Sequence, residues 1–241
     1  MASKRILITG GCSGLGKALA ERYIAAGCKV IIADIAPPEA APPQAHYVRF
    51  DCEHPTFAWL ADTEAFDIVI CNAGISNSDD FLATGHEHDS RLMQINALGH
   101  IALVRELLKT GKVEDGGRLA FVISGTVFLP FSIAIAYAAS KAAHDGFAHA
   151  LAPYVYGRGI SVTRIYPGPM KTPHAEKYYA KYNEGKGTSP ERVAACIVGG
   201  IEARKRRIMP DAASRLFWLA SSIVPRLLVH MVAKKYHGNV S

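Results

Sequence analysis

Near the N-terminus a short apolar run, Ile6-Leu-Ile8, stops at Thr9 and gives way to Gly10-Gly-Cys-Ser-Gly-Leu-Gly16. A helical pattern then runs from Lys17 to Ala26 and ends at Gly27. No other stretch narrows the fold as far. A run of that length stopped by glycines suits a buried parallel strand. Strand, glycine-rich turn and helix in that order bring free backbone N–H groups and the positive end of a helix dipole to one point, where phosphate can be held. The glycines let the main chain turn tightly and approach a pyrophosphate. Their spacing, Gly10-x-x-x-Gly14-x-Gly16, departs from the G-x-G-x-x-G fingerprint, so the motif needs company.

Company follows along the chain. Lys29-Val-Ile-Ile-Ala33 reads as a second strand ending in Asp34. An acid about 20 residues beyond the glycines stands where a ribose 2′-hydroxyl is gripped. Neither Ile35 nor Ala36 supplies a cation for a 2′-phosphate, so NAD(H) is expected over NADP(H). Pro37-Pro38 and Pro42-Pro43 bracket a loop, and a third strand, His46 to Phe50, ends at Asp51. Phe66 to Cys71 is a fourth, with Asn72-Ala73-Gly74 at its end. A helix from about Ser90 to Lys109 carries Asn96, a residue whose side chain competes with helical backbone. Arg118 to Ile123 makes a fifth strand ending at Ser124, and Ile160 to Ile165 a sixth, followed by Tyr166-Pro-Gly-Pro-Met-Lys-Thr172. The expected architecture is α/β: one doubly wound parallel sheet with helices on both faces, occupying residues 1–241 as a single domain. Ligands of such sheets sit beyond the carboxyl ends of the strands, where Asp34, Asp51, Asn72 and Ser124 fall.

The Ala-rich run Ile135 to Ala152 favours helix and holds Tyr137-Ala-Ala-Ser-Lys141. At that spacing both side chains leave one helix face a turn apart. A neighbouring ammonium favours the ionised phenol and lowers its pKa, and a Tyr so poised can exchange a proton with a carbonyl or alcohol oxygen.

These pieces together resemble the short-chain dehydrogenase/reductase family, with its Rossmann fold, from Lys4 to about Asp211. Thr9-Gly10-x-x-x-Gly14-x-Gly16, Asn72-Ala73-Gly74, Asn96, Ser124, Tyr137-x-x-x-Lys141 and Pro167-Gly168 fall in that family's order and spacing. The resemblance implies a catalytic set of Asn96, Ser124, Tyr137 and Lys141. Tyr137 would be general acid/base, Ser124 would hold the substrate oxygen, and Lys141 would bind the nicotinamide ribose. Asn96 would hold a water relaying protons. Gly10, Ser13, Leu15 and Gly16 would line the pyrophosphate turn, Asp34 would hold the adenosine ribose, and Asp51 and Cys52 would flank the adenine. Asn72, Ala73 and Gly74 would stand on the adenosine side, and Pro167, Gly168 and Thr172 by the nicotinamide. It also implies a homodimer or homotetramer. Two positions depart from the family: Cys71 replaces a usual Asn, and Gly125 stands where a second Ser often follows.

Of the 241 residues 49% are hydrophobic, which excludes a disordered chain. The net charge is +6, but the basic residues are scattered apart from Arg204 to Arg207, so nucleic acid is not the expected partner. Cys12, Cys28, Cys52, Cys71 and Cys196 are widely spaced and form no metal-like grouping, which points to free thiols in a reducing, cytoplasmic setting. Cys12, inside the glycine turn, is expected to be inert. No apolar signal core follows Met1.

Residues 173–190, with Tyr178, Tyr179 and Tyr182, read either as a substrate lid or as a solvated surface segment. Ser189 and Pro190 start a helix running from Glu191 to Ala203, with a last strand at Arg207-Ile-Met. The extension 212–241 contains an apolar stretch, Leu216 to Ala233, interrupted by Pro225, Arg226 and His230, too broken for a membrane span. Docking onto the body or a partner subunit is the favoured reading there, with contact to an anionic membrane surface through 216–233 as the other. The substrate is expected to be a hydrophobic secondary alcohol or ketone. The alternative class is a dinucleotide-binding sensor or scaffold without turnover.

Overall fold

The computed structural model describes residues 3–76, 81–172 and 187–237. Seven parallel strands form one sheet: β1 (Arg5–Thr9), β2 (Lys29–Asp34), β3 (His46–Arg49), β4 (Phe66–Cys71), β5 (Val113–Val122), β6 (Ser161–Ile165) and β7 (Arg207–Ile208). Their spatial order is β3-β2-β1-β4-β5-β6-β7. The chain winds outward from β1 to β3 and then returns to place β4 on the other side of β1. Between the carboxyl ends of β1 and β4 the winding reverses, which is where a crevice opens in such sheets.

Strand periodicity divides the core into two layers. Leu7, Val69, Leu119 and Phe121 face one side, against Leu103, Val104 and Leu107 of α3 (Gly99–Lys109) and Ala148 and Leu151 of α4 (Ile135–Val155). Ile6, Ile8, Ile68, Ile70 and Val122 face the other. They pack there on Leu19 and Tyr23 of α1 (Gly14–Ala25) and on Val193 and Ile197 of α5 (Pro190–Glu202). Ser189 caps α5 by accepting a hydrogen bond from Arg192 N, with Pro190 at the first helical position, as its sequence indicates.

The structure departs from the sequence expectations at four places. β5 begins five residues early, at Val113, because Val113 pairs with Phe66 before a register shift over Glu114–Gly117. The helix expected from Ser90 to Lys109 is α2 (His86–Met93), a π-turn (Gln94–Leu98) and then α3, with Asn96 inside the π-turn. α4 runs on through Pro153, whose missing N–H is tolerated because the helix stops within a turn. Lastly, Leu216 to Ala233 is split at Val224–Pro225 into α6 (Ala212–Ile223) and α7 (Pro225–His237). The body is met by the first turns of α6, at Ser214, which is fully buried, and at Phe217. Leu216, Leu219, Ile223, Leu227, Val229 and Met231 stay exposed. No described helix is long and apolar enough to cross a membrane. Of the expected lid, 173–186 lies outside the described residues.

Candidate active site

The carboxyl ends of β1 and β4 are laced together by Thr9. Its hydroxyl oxygen accepts from Asn72 N (2.8 Å) and Ala73 N (3.0 Å). Asn72 Nδ2 donates back to Thr9 O (3.0 Å) and Gly10 O (3.1 Å). The same hydroxyl lies 2.9 Å from His100 Nε2 and 3.5 Å from Ile70 O, so Thr9 also ties α3 to the strand ends.

This lacing holds the glycine turn open. Gly10 has φ +67°, and a Cβ there would strike the Ala73 backbone at 2.8 Å. Ser13 is the N-cap of α1 but its side chain makes no cap hydrogen bond, so the first-turn N–H groups remain for an incoming anion. Gly16 requires a correction. It does not line the cleft; a Cβ there would lie 2.0 Å from Gly10 O, so its role is to let α1 close onto the turn. Gly14, with φ +48°, lines the cleft instead.

One cleft of about 390 Å³ runs along the strand ends. Every other residue expected to hold the dinucleotide lines it, from Asp34, Asp51 and Cys52 at one end to Tyr137, Lys141, Gly168 and Thr172 at the other. Asp34 Oδ2 accepts from Cys12 N (2.9 Å) and Oδ1 from Ala36 N (3.0 Å), so the carboxylate is fixed at the end of β2 with further lone pairs to offer. Arg91 of α2, paired with Glu53 at 2.9 Å, also lines the cleft. Sequence reasoning missed it, since a lone Arg on a helix is ordinarily solvated. At Cys12, burial first and then the neighbouring Asp34 charge push the thiol up to about 12, against the thiolate that reactivity requires.

At the far end Ser124, Tyr137 and Lys141 meet. The Ser124 hydroxyl stands close enough to Tyr137 to favour its ionised form, and Ser124 Oγ accepts from Thr126 N (3.2 Å). Lys141 Nζ is buried and donates to Val122 O (3.1 Å); desolvation lowers its pKa to about 8. The expected lowering of the Tyr137 pKa by Lys141 is not what this arrangement produces. Burial pushes the phenol up, and what opposes it is the neighbouring Ser124 hydroxyl.

Asn96 lies beneath the cleft, fully buried. Its Oδ1 accepts from Ile75 N (2.8 Å), and Nδ2 donates to Ile75 O (2.9 Å) and Ser140 Oγ (2.9 Å). Ser140 Oγ in turn donates to Tyr137 O (2.7 Å), so Asn96 braces the turn that carries Tyr137. Both amide protons are thus spent within the protein. Gly125 also gains a reason: a Cβ there would press on Phe217 Cδ2 and Pro167 O, both at 3.3 Å. Cys71 is simply core, buried in β4.

Known proteins with this combination define a class. The family model for short chain dehydrogenases matches residues 4–183. The chain therefore belongs to the short-chain dehydrogenase/reductase family, oxidoreductases that use a nicotinamide dinucleotide. It is 30% identical over 267 residues to the dehydrogenase/reductase SDR family member 7B of Bos taurus, covering 95% of this chain and 82% of that one. A short-chain dehydrogenase of Streptomyces avermitilis superposes over 100% of both chains with TM-score 0.81 at 24% identity, a likeness of fold. The structure of BdcA in complex with NADPH superposes with TM-score 0.76 at 25% identity, over 87% of this chain and 94% of that one.

Proposed function

We propose that the protein is an NAD(H)-dependent oxidoreductase interconverting a hydrophobic ketone and its secondary alcohol. The observation that carries this is the meeting of Ser124, Tyr137 and Lys141 at the end of a cleft whose other end holds Asp34 and the glycine turn. The residues present fit the dinucleotide. The uncapped N-terminus of α1 suits its pyrophosphate, the bare Gly10 and Gly14 leave it room, and the Asp34 carboxylate suits a ribose diol. When bound, the cofactor supplies the hydride.

The chain's own residues handle the proton and the orientation. Ser124 holds the substrate oxygen against Tyr137. Because burial raises the Tyr137 pKa, the phenol stands protonated at neutral pH, which suits donation to a ketone oxygen as it gains charge. Lys141, its ammonium held by Val122 O, faces the same end and steadies the nicotinamide ribose. A water on the π-turn main chain would resupply the proton. The intact set disfavours a sensor without turnover. Assembly as a homodimer or homotetramer belongs to the same reading, and sedimentation of the intact chain reads it directly.

NADH oxidation against short, long-chain and cyclic ketones tests the substrate class. Turnover should rise with chain length or ring bulk; equal or better turnover of polar sugar-like carbonyls would overturn the hydrophobic assignment. NAD(H) is favoured because Asp34 would repel a 2′-phosphate and residues 35 and 36 carry no cation. Asp34→Ala removes charge-assisted hydrogen bonds and should raise the NADH KM about 10- to 100-fold while changing that for NADPH little. An unchanged NADH/NADPH preference would sink the NAD assignment.

A further inference from the structure

The chain's net positive charge is confined to its last segment. Residues 204–241 carry eight Lys or Arg and a single acid, Asp211, while residues 1–203 carry 19 basic and 20 acidic side chains. The segment thus carries +7 against −1 for the rest, and it also holds most of the large apolar side chains exposed among the described residues. On α6, Leu216, Leu219 and Ile223 share one face at helical spacing, exposed by 62%, 48% and 66%. On α7, Leu227 and Met231 continue such a stripe, which ends at Lys234. Arg207 lies over the Trp218 ring at 5.9 Å, and with Met209, Arg215 and Leu219 this pair walls an open groove beside α6.

We propose that α6 and α7 form a docking surface for an anionic phospholipid bilayer, lying in its interfacial plane. Apolar faces with cations at their margins and no acid from Ala212 onward complement such a surface. An indole stacked with a guanidinium suits the headgroup boundary. Charge decides between this partner and a second copy of the chain, since two copies joined by this face would bring two strongly cationic segments together. Nucleic acid would leave the leucines and isoleucine uncovered. The surface is also joined to the cleft. Asp211 accepts from Gly168 N and from Ser214 N (2.8 Å each), so the N-cap of α6 grips the nicotinamide-side loop while Phe217 packs on Gly125. A bilayer bound there would lie beside the mouth that the hydrophobic-substrate reading requires. Flotation reads binding without turnover, so either reading can fail alone.

The test floats the intact chain with vesicles of phosphatidylcholine alone or with about 30 mol% phosphatidylserine, at low salt and at about 0.5 M NaCl. The expected result is more than tenfold greater recovery with the anionic vesicles, reduced by salt. The double substitution Leu219→Glu and Ile223→Glu, at exposed positions, should abolish recovery while NADH binding is retained. Three results would overturn the proposal: no flotation with either vesicle, equal flotation of the double variant, or concentration-dependent self-association that the double variant removes. The last would assign the surface to a second copy.

Discussion

Tyr137→Phe should reduce ketone turnover by about 10²- to 10⁴-fold, the range lost when a positioned general acid is removed. NADH binding should change little. The substitution deletes one oxygen, keeps the ring, and leaves Ser124 Oγ still accepting from Thr126 N. It therefore separates chemistry from binding. Ser124→Ala is the companion measurement: it should lower kcat as well if, as proposed, Ser124 holds the reacting oxygen beside Tyr137. Steady-state kinetics together with NADH fluorescence titration reads both variants. Tyr137→Phe turning over as the parent does would remove the proton-transfer role from this residue.

The second large effect is on stability in acid. His100 and His144 are both fully buried and stacked, ring centroids 4.9 Å apart, with Phe121 edge-on to His144. Burial drives the His100 pKa down to about 3, and burial with the neighbouring His100 and Lys141 charges drives His144 well below its ordinary value. The folded protein holds both rings neutral; the unfolded chain protonates them below about pH 6.5. The unfolded state then binds more protons, so stability falls as pH drops, by about 1.4 kcal/mol per pH unit for each ring. From pH 7.5 to 5.5 the pair should lose about 3 kcal/mol, a large part of the ~5–15 kcal/mol typical of a folded domain. Neither nitrogen of His144 has a hydrogen-bond partner among the described residues, so His144→Leu should leave the neutral-pH fold intact and halve the acid loss. Urea unfolding at the two pH values measures this. A stability equal at both, in parent and variant alike, would contradict the burial of two neutral rings.

The strands and the cleft residues were legible because each is written locally. Apolar runs stop at Thr9, Asp34, Cys71 and Ser124, and parallel strands put all four ends on one edge of the sheet. Tyr137 and Lys141 share a face by helical period alone. What the sequence hid depends on partners far along the chain. Thr9 reads as the residue after a strand, and only the pairing of β1 with β4 and the approach of α3 make it the tie between Asn72, Ala73 and His100. Asn96 was noticed as an awkward helix residue, but the π-turn that relieves it follows from its bonds to Ile75 and Ser140. Gly16 looked like a cofactor contact and is a packing contact, since the distance that matters is to Gly10 O. The Tyr137 pKa went the other way because of burial, which spacing does not report and which only the neighbouring Ser124 hydroxyl opposes. Pro225 divides the apolar C-terminal stretch into two helices, of which this chain's own body covers the side around Phe217 and leaves the outer faces exposed.

The most direct measurement follows a labelled hydrogen. NADH carrying deuterium at the transferring carbon is incubated with a hydrophobic ketone and the protein, and the product alcohol is examined by mass spectrometry. The account expects one deuterium at the carbinol carbon, on one face, with transfer by Tyr137→Phe slowed about 10²- to 10⁴-fold. NADH that binds tightly yet delivers no deuterium to any ketone would contradict it, and would leave a dinucleotide-binding protein without turnover.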